Sequence, residues 1–419
     1  MVEEVMTSES EQTPPAWPGI FNPADEELWV RQSDCEWVMA SMVHDMSDPI
    51  RLHHLELSCP WIVSNAKQAT EMLKSNREQA LSIIGALMSW RNCTVSQLQA
   101  GLSRRPVPEF DRMKPNLYGA LCRAGVLNVG FSRSEFYGRV FIPQTWLGLS
   151  RAQNRVYNVT HRIAGYGFPV ESILRSRPGT HQYARHNTFA SHVGLAFAHD
   201  PRVKYTVGDG WALFRSLDAQ AVSEMGRHPN NVPDLLGFTK NGVTAAIEVQ
   251  SSTTDVAKKM EAWVDFLAHS PMSRRGVICV WLLIPVSNFQ TTLDFSKYFQ
   301  EAADYTGVTI GDPPVSSRIG WATWDDWFDK MGNPTGGFGE YTDLLGIRRS
   351  MFADDWGPLP VTADFSRLTD WGWDVMNRDI RNVFGWDTST WRKPDFYRGD
   401  TYGFVGGLAS TTGKDADYD

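Results

Sequence analysis

Val232-Pro233-Asp234-Leu235-Leu236-Gly237-Phe238, Thr239-Lys240-Asn241-Gly242 and Val243-Thr244-Ala245-Ala246-Ile247-Glu248-Val249-Gln250 follow one another in mid-chain and predict a β-hairpin. Two apolar runs of strand length flank an Asn-Gly pair, the dipeptide that tolerates the positive φ a tight hairpin turn needs. Side chains alternate along a strand, so Glu248, Gln250 and Ser252 are expected on one face. Ala245, Ile247 and Val249 are then expected on the other, against a helix. Antiparallel pairing through the turn brings Asp234 to the same end of the sheet as Glu248. Two converging carboxylates repel. A hard cation such as Mg²⁺ relieves that repulsion, and it can polarise a phosphodiester or acidify a bound water.

The neighbours of the hairpin predict a mixed α/β core over residues 181–290. Tyr183–His199 has a helical apolar side in Phe189, Val193, Ala196 and Phe197. Val203–Val207 and Trp211–Arg215 read as strands, Asp255–His269 as an amphipathic helix and Gly276–Ile284 as a buried strand. Upstream, residues 78–145 have the order of a winged helix. A helix over Glu78–Trp90 is followed by one over Val95–Leu102 capped by Thr94, then one from Pro115 that stops at Gly125. A hairpin of Val126–Phe131 and Phe136–Ile142 forms the wing. Arg104, Arg105, Arg112, Lys114, Asn116 and Arg123 on or before the third helix, with Arg133 and Arg139 on the wing, are the expected DNA contacts. Winged helices also serve as protein–protein modules.

Pro-Asp, a hairpin and then Glu-x-Gln resembles the PD-(D/E)xK, or restriction-endonuclease-like, nuclease superfamily. The string Ile247-Glu248-Val249-Gln250-Ser251-Ser252 is similar to the Glu-x-Gln-x-Ser variant of competence-associated CoiA-like nucleases. A winged helix, a helix opening Arg185-His186-Asn187 and this core together resemble actinobacterial plasmid replication-relaxation proteins. The resemblance spans residues 80–285 and implies an αβββαβ core with Mg²⁺- or Mn²⁺-dependent DNA cleavage. It implies Asp234, Glu248 and the carbonyl of Val249 as metal ligands. Gln250 stands where most members carry the lysine that orients the water. It can hold a water by hydrogen bonds but brings no positive charge. Lys258 or Lys259 on the following helix is the expected substitute. Members also place an acid on the first helix, where this chain offers His186, Asn187 and His192.

Composition sets the remaining bounds. The 419 residues suffice for roughly two to four domains, with 42% hydrophobic and 21% charged residues. The net charge of −8 is unevenly spread: Arg91–Ala190 holds 14 Lys/Arg against four Asp/Glu, and Glu301–Asp419 holds 11 against 20. The first span supplies a basic face and the second a solubilising one. Five dispersed cysteines without a CxxC pair predict reduced thiols rather than disulfides or a zinc ribbon. The longest apolar run ends at Pro285, far short of a membrane span, and the N-terminus has no signal-peptide pattern. A soluble, cytoplasmic protein is expected.

Outside the two modules, residues 1–30 are expected to be a disordered acidic arm, with local docking by Trp17 or Phe21. Residues 31–77 form a helical lead-in and 146–180 a basic connector. Residues 291–409 form an irregular acidic region with eight of the seventeen tryptophans, which fill a core or meet a protein partner or a second copy. A disordered tail at 410–419 ends the chain. His181, His186, His192 and His199 lack HExxH spacing, no GxSxG elbow exists, and Gly336-Gly337-Phe338-Gly339 lacks a P-loop lysine. The first expectation is a nuclease of a mobile element, plasmid or phage. The alternatives are a non-catalytic DNA-binding replication or transfer factor on a nuclease-like scaffold, and a phage structural or assembly protein.

Overall fold

Two principal sheets organise the chain. The computed structural model describes residues 17, 19–25, 28–29, 35–45, 51–52, 57–101, 107–132, 144–150, 153–164, 184–209, 212, 233–250, 256–269, 276–284, 290–304 and 314–356.

The N-terminal half contains β1 (Cys35–Val38), α1 (Ala40–Asp45), a two-strand ladder of β2 (Arg51–Leu52) and β3 (Leu57–Ser58), α2 (Ala66–Ser75) and α3 (Arg77–Trp90). It continues with β4 (Asn92–Thr94), α4 (Val95–Gly101), α5 (Leu117–Arg123), β5 (Leu127–Ser132), β6 (Thr145–Leu149) and α6 (Gln153–Ala164). Its sheet has the antiparallel order β1-β5-β6-β4. Helix starts follow local chemistry. Thr94 Oγ1 accepts from the Gln97 backbone N–H at 3.1 Å while Gln97 Oε1 accepts from the Thr94 N–H at 3.0 Å, a reciprocal cap on α4. Gly125, at φ +80°, takes the chain out of α5 in a conformation that other residues adopt with strain.

The hairpin here differs from expectation. The partner of β5 is β6, with Leu127 opposite Leu149, and β6 lies in the stretch expected to be connector. The expected second wing strand, Phe136–Ile142, lies outside the described residues.

The C-terminal half runs α7 (Ala184–His199), β7 (Val203–Gly208), β8 (Leu235–Thr239), β9 (Thr244–Gln250), α8 (Val256–His269) and β10 (Val277–Leu283). Among the described residues it is therefore a mixed α/β unit in the chain order αβββαβ. The β7-β8-β9 meander is antiparallel, and the α8 crossover sets β10 parallel to β9. The Asn-Gly turn is as expected: Gly242 has φ +93° and Thr239 N–H donates to Val243 O at 2.9 Å. Expected strand Trp211–Arg215 lies almost wholly outside the described residues.

The sheet does not end at residue 290. After α9 (Gln290–Asp304) and α10 (Val315–Arg318), β11 (Ile319–Thr323) pairs parallel with β10. Past α11 (Trp324–Trp327), β12 (Glu340–Asp343) and β13 (Arg348–Ser350) complete a seven-stranded order β13-β12-β11-β10-β9-β8-β7. Trp324 and Trp327 are fully buried, and Trp324 stacks on Phe328 at 4.2 Å and meets Phe189 of α7 edge-on at 4.8 Å. These tryptophans fill core. Trp371, Trp373, Trp386 and Trp391 lie outside the described residues, as does the tail.

The acidic arm is anchored where it is described. Trp17 meets His192 and His199 of α7 edge-on at 5.3 and 5.8 Å, and Ile20, Leu28 and Trp29 are buried.

One hydrophobic core runs through both halves. A Cβ on Gly194 of α7 would lie 1.8 Å from the Trp90 ring of α3, so only glycine allows that approach. Gln97 donates to Thr188 O at 3.0 Å, and Ser191 to Asn92 O at 3.0 Å. All five cysteines are free and buried. Among the described residues no helix is long and apolar enough to cross a membrane.

Candidate active site

β8 starts one residue after Asp234, and its first residue, Leu235, faces Ile247, the residue before Glu248. The hairpin thus brings Asp234 to the end of the sheet that holds Glu248, close enough for its charge to act on the Glu248 carboxyl. Asp234 is fixed from both ends. Its N–H donates to Ile247 O at 2.9 Å, and its Oδ2 accepts from the Val249 N–H at 2.8 Å. Its Oδ1 lies 2.9 Å from Nε2 of His186, in the first turn of α7. His186 is a quarter exposed, whereas Asp234 is buried.

Glu248 is 1% exposed on an interior strand. Its Oε1 accepts from Trp263 Nε1 at 2.8 Å, and its Oε2 pairs with Lys259 Nζ. Lys259 and Trp263 stand four residues apart on α8 and so share one face of that helix. Trp281 is the parallel neighbour of Glu248 on β10, and its ring centroid lies 5.8 Å from the Lys259 ammonium. Lys259 is thus held between a carboxylate and an aromatic ring. Burial raises the Glu248 carboxyl above its ordinary range; Lys259 opposes this, Asp234 adds to it, and the bonds from Lys259 and Trp263 oppose it.

Lys259, not Lys258, is the lysine of this site. Lys258 is exposed, because each helical residue turns about 100° and carries it off the face shared with Trp263. Trp263 was not anticipated as a site residue. Its signal lay in the i,i+4 spacing from Lys259, which puts an indole N–H and an ammonium on one helix face. Gln250 closes β9 half-buried, with its carbonyl accepting from Ile284 N–H at 3.1 Å. Ser252 lies outside the described residues. His192 stays apart from this cluster: it is fully buried, bonded through Nε2 to Gly332 O at 2.8 Å, and burial lowers its pKa to about 4.

The donor chemistry suits a hard cation at two points only. Asp234 and Glu248 are oxygen ligands with further lone pairs, and Mg²⁺ takes one or two such carboxylates plus waters or phosphate. Each of the four carboxylate oxygens already has a hydrogen-bond partner, and Lys259 competes directly at Glu248. Among the described residues no three His, Cys, Asp or Glu side chains form a cage.

The expected nucleic-acid helix is turned inward. All seven residues of α5 are buried. The cover comes from α2 and from the Trp61–Ile62 turn: Asn116 N–H donates to Trp61 O at 3.2 Å, and a Cβ on Gly119 would sit 1.9 Å from that same oxygen. Asn116 is a cap, its side chain accepting from Gly119 N–H at 2.9 Å and donating to Asp111 O at 2.7 Å. Arg123 is 8% exposed and donates to Val43 O. Neither residue is presented to a groove, which corrects the expectation for both. Arg112 lies 4.8 Å over the Phe131 ring, and exposed Lys114 pairs with Asp111 at 3.0 Å. Arg104, Arg105, Arg133 and Arg139 lie outside the described residues.

Comparison with protein-family models, curated proteins and solved structures gives no match to this chain.

Proposed function

We propose that this chain is a DNA-processing nuclease of the PD-(D/E)xK kind, hydrolysing phosphodiesters at the cluster of Asp234, Glu248, Lys259 and His186. The observation that carries the reading is that Asp234 and Glu248 stand at one end of the hairpin, with a lysine from the next helix on the glutamate. That lysine supplies the positive charge that Gln250 lacks. Asp234 and Glu248, with the Val249 carbonyl, would hold Mg²⁺ or Mn²⁺, which supplies Lewis-acid activation of the phosphodiester and of water. Lys259 holds positive charge beside the site, where it offsets charge that develops on phosphate oxygens. Gln250 orients water by hydrogen bonds. His186 holds the Asp234 carboxylate in place from α7. The restriction-endonuclease-like and winged-helix resemblances belong to this proposal, and so does DNA as the partner, met through the Arg-rich stretches at 104–105 and 133–139.

Wild type, Asp234→Ala and Glu248→Gln are incubated with single- and double-stranded DNA in Mg²⁺, Mn²⁺ or EDTA. Cleavage by wild type alone, abolished by EDTA, is the expected result. The complete hydrogen bonding of both carboxylates favours a second reading, a non-catalytic DNA-binding factor in which this cluster only locks α7 and α8 onto the sheet. Intact DNA with a salt-sensitive gel shift by every protein selects that reading.

A further inference from the structure

Arg91 is the whole of the link between α3, which ends at Trp90, and β4, which starts at Asn92. Both of its neighbours are fixed. The Trp90 ring is seated over Gly194 of α7, and Asn92 pairs with Gly148 of β6 while its carbonyl accepts from Ser191. A helix must therefore turn into a strand across a single residue. Arg91 does so at φ +60° and ψ −61°, and among the described residues no other non-glycine has a positive φ. That combination lies outside even the small left-handed region open to residues with a Cβ, and glycine is the residue that adopts it without strain. An arginine here holds strain that a glycine would not, so its side chain is the feature to explain.

The side chain reaches the other half of the molecule. Its Nε lies 2.5 Å from Oδ1 of Asp209, and the two side chains are 11% and 7% exposed. Asp209 follows β7, whose last residue, Gly208, faces Leu235, the residue after Asp234. In the seven-stranded order β8 lies between β9 and β7, and β7 is the last strand. Pinning the end of β7 from α3 therefore steadies the end of β8 that starts from Asp234. A largely buried guanidinium–carboxylate pair is a directional tie, and it strengthens where water is excluded.

We propose that Arg91 is a positioning residue for the candidate site: through Asp209 it holds the strand end that carries Asp234 against the Val249 N–H and His186. Its effect on cleavage rests on the nuclease reading given above. Its effect on the geometry of Asp234 does not.

The test compares the full wild-type chain with Arg91→Lys and with the double variant Arg91→Gly/Asp209→Asn, which removes the strain without leaving the Asp209 carboxylate beside a lost partner. Amide exchange is read at Val249, which donates to Asp234, and at Thr239, which donates to Val243 O at the far end of the same hairpin. In the double variant the Val249 amide is expected to exchange roughly tenfold faster or more, with Thr239 and the urea midpoint as in wild type. On a DNA substrate in Mg²⁺, kcat is expected to fall about tenfold with KM unchanged, because the variant displaces a carboxylate and not the DNA. Arg91→Lys keeps a cation and stays closer to wild type in both readings. Val249 exchanging as in wild type would overturn the proposal. So would a joint acceleration of Val249 and Thr239 with a lowered midpoint, which marks the pair as stabilising only. A wild type that cleaves no DNA overturns the nuclease reading, and the Val249 and Thr239 rates still decide the role of Arg91.

Discussion

The two halves of the chain handle charge by opposite routes. On the seven-stranded sheet, acids are drawn into the interior and a lysine and a histidine are brought to them from two different helices. In the N-terminal half, two of the residues that a basic motif would aim at nucleic acid are tied into the fold instead. Arg123 spends its guanidinium on Val43 O, and Asn116 spends its amide on capping. The difference lies in where the covering elements sit in the sequence. The hairpin organises its acids through its own register. The exposure of α5 is decided by α2 and by Trp61–Ile62, more than forty residues earlier.

The largest break in this comparison comes from Glu248→Ala. It leaves the Lys259 ammonium and the Trp263 N–H facing a void, and a loss of about 3–5 kcal/mol in urea unfolding is expected. A loss under about 1 kcal/mol would mean that the carboxylate is solvated rather than enclosed.

Next in size is a pH effect at His192. Its pKa of about 4 in the folded chain stands below the ordinary 6.5 because burial disfavours the imidazolium. Between those values the unfolded chain takes up a proton that the folded one refuses, so stability is lost as pH falls from 6.5 towards 4. The loss is on the order of 3 kcal/mol. Urea midpoints at pH 7 and pH 4 for wild type and His192→Phe check this, and the variant should lose less by that amount.

Arg123→Ala is expected to cost about 1–3 kcal/mol through the lost bond to Val43 O and the space it leaves. A groove-facing arginine would behave otherwise, lowering the salt slope of DNA binding by about one without changing stability. Measuring both quantities on one variant decides how α5 is used. The smallest effect belongs to Lys258→Met, expected within about 0.5 kcal/mol of wild type and within a factor of about two in any cleavage assay. Lys259→Met, on the adjacent residue, should lower cleavage by about a hundredfold or more. Equal effects from the two lysines would refute the assignment of Lys259.

What could be read from the sequence follows the same division. The Asn-Gly turn and the bringing of Asp234 to the end of the sheet that holds Glu248 depend on residues within twenty positions of one another, and the structure has both. Choosing between Lys258 and Lys259 needed the rotation of α8 relative to the sheet, which Trp263 fixes only once β9 and β10 are paired. The run from β11 to β13 was hidden by short strands rich in tryptophan and glycine. Parallel pairing of β11 with β10 is a long-range event, and the local pattern of Ile319–Thr323 does not announce it. The pairing of β5 with β6 was missed for a simpler reason: an alternating run nearer in sequence offered a shorter loop.

The ring of Trp90 lying over Gly194 has a consequence for how the chain opens. A helix that serves as a wall for both sheets leaves no seam along which one could melt while the other stays native. The amides of α3, α7 and β9 should therefore exchange with solvent at one common slow rate, set by global rather than local opening. Cutting the chain at the α6–α7 junction would strip that wall from one side and bare an apolar surface, so neither piece is a usable stand-in for the whole.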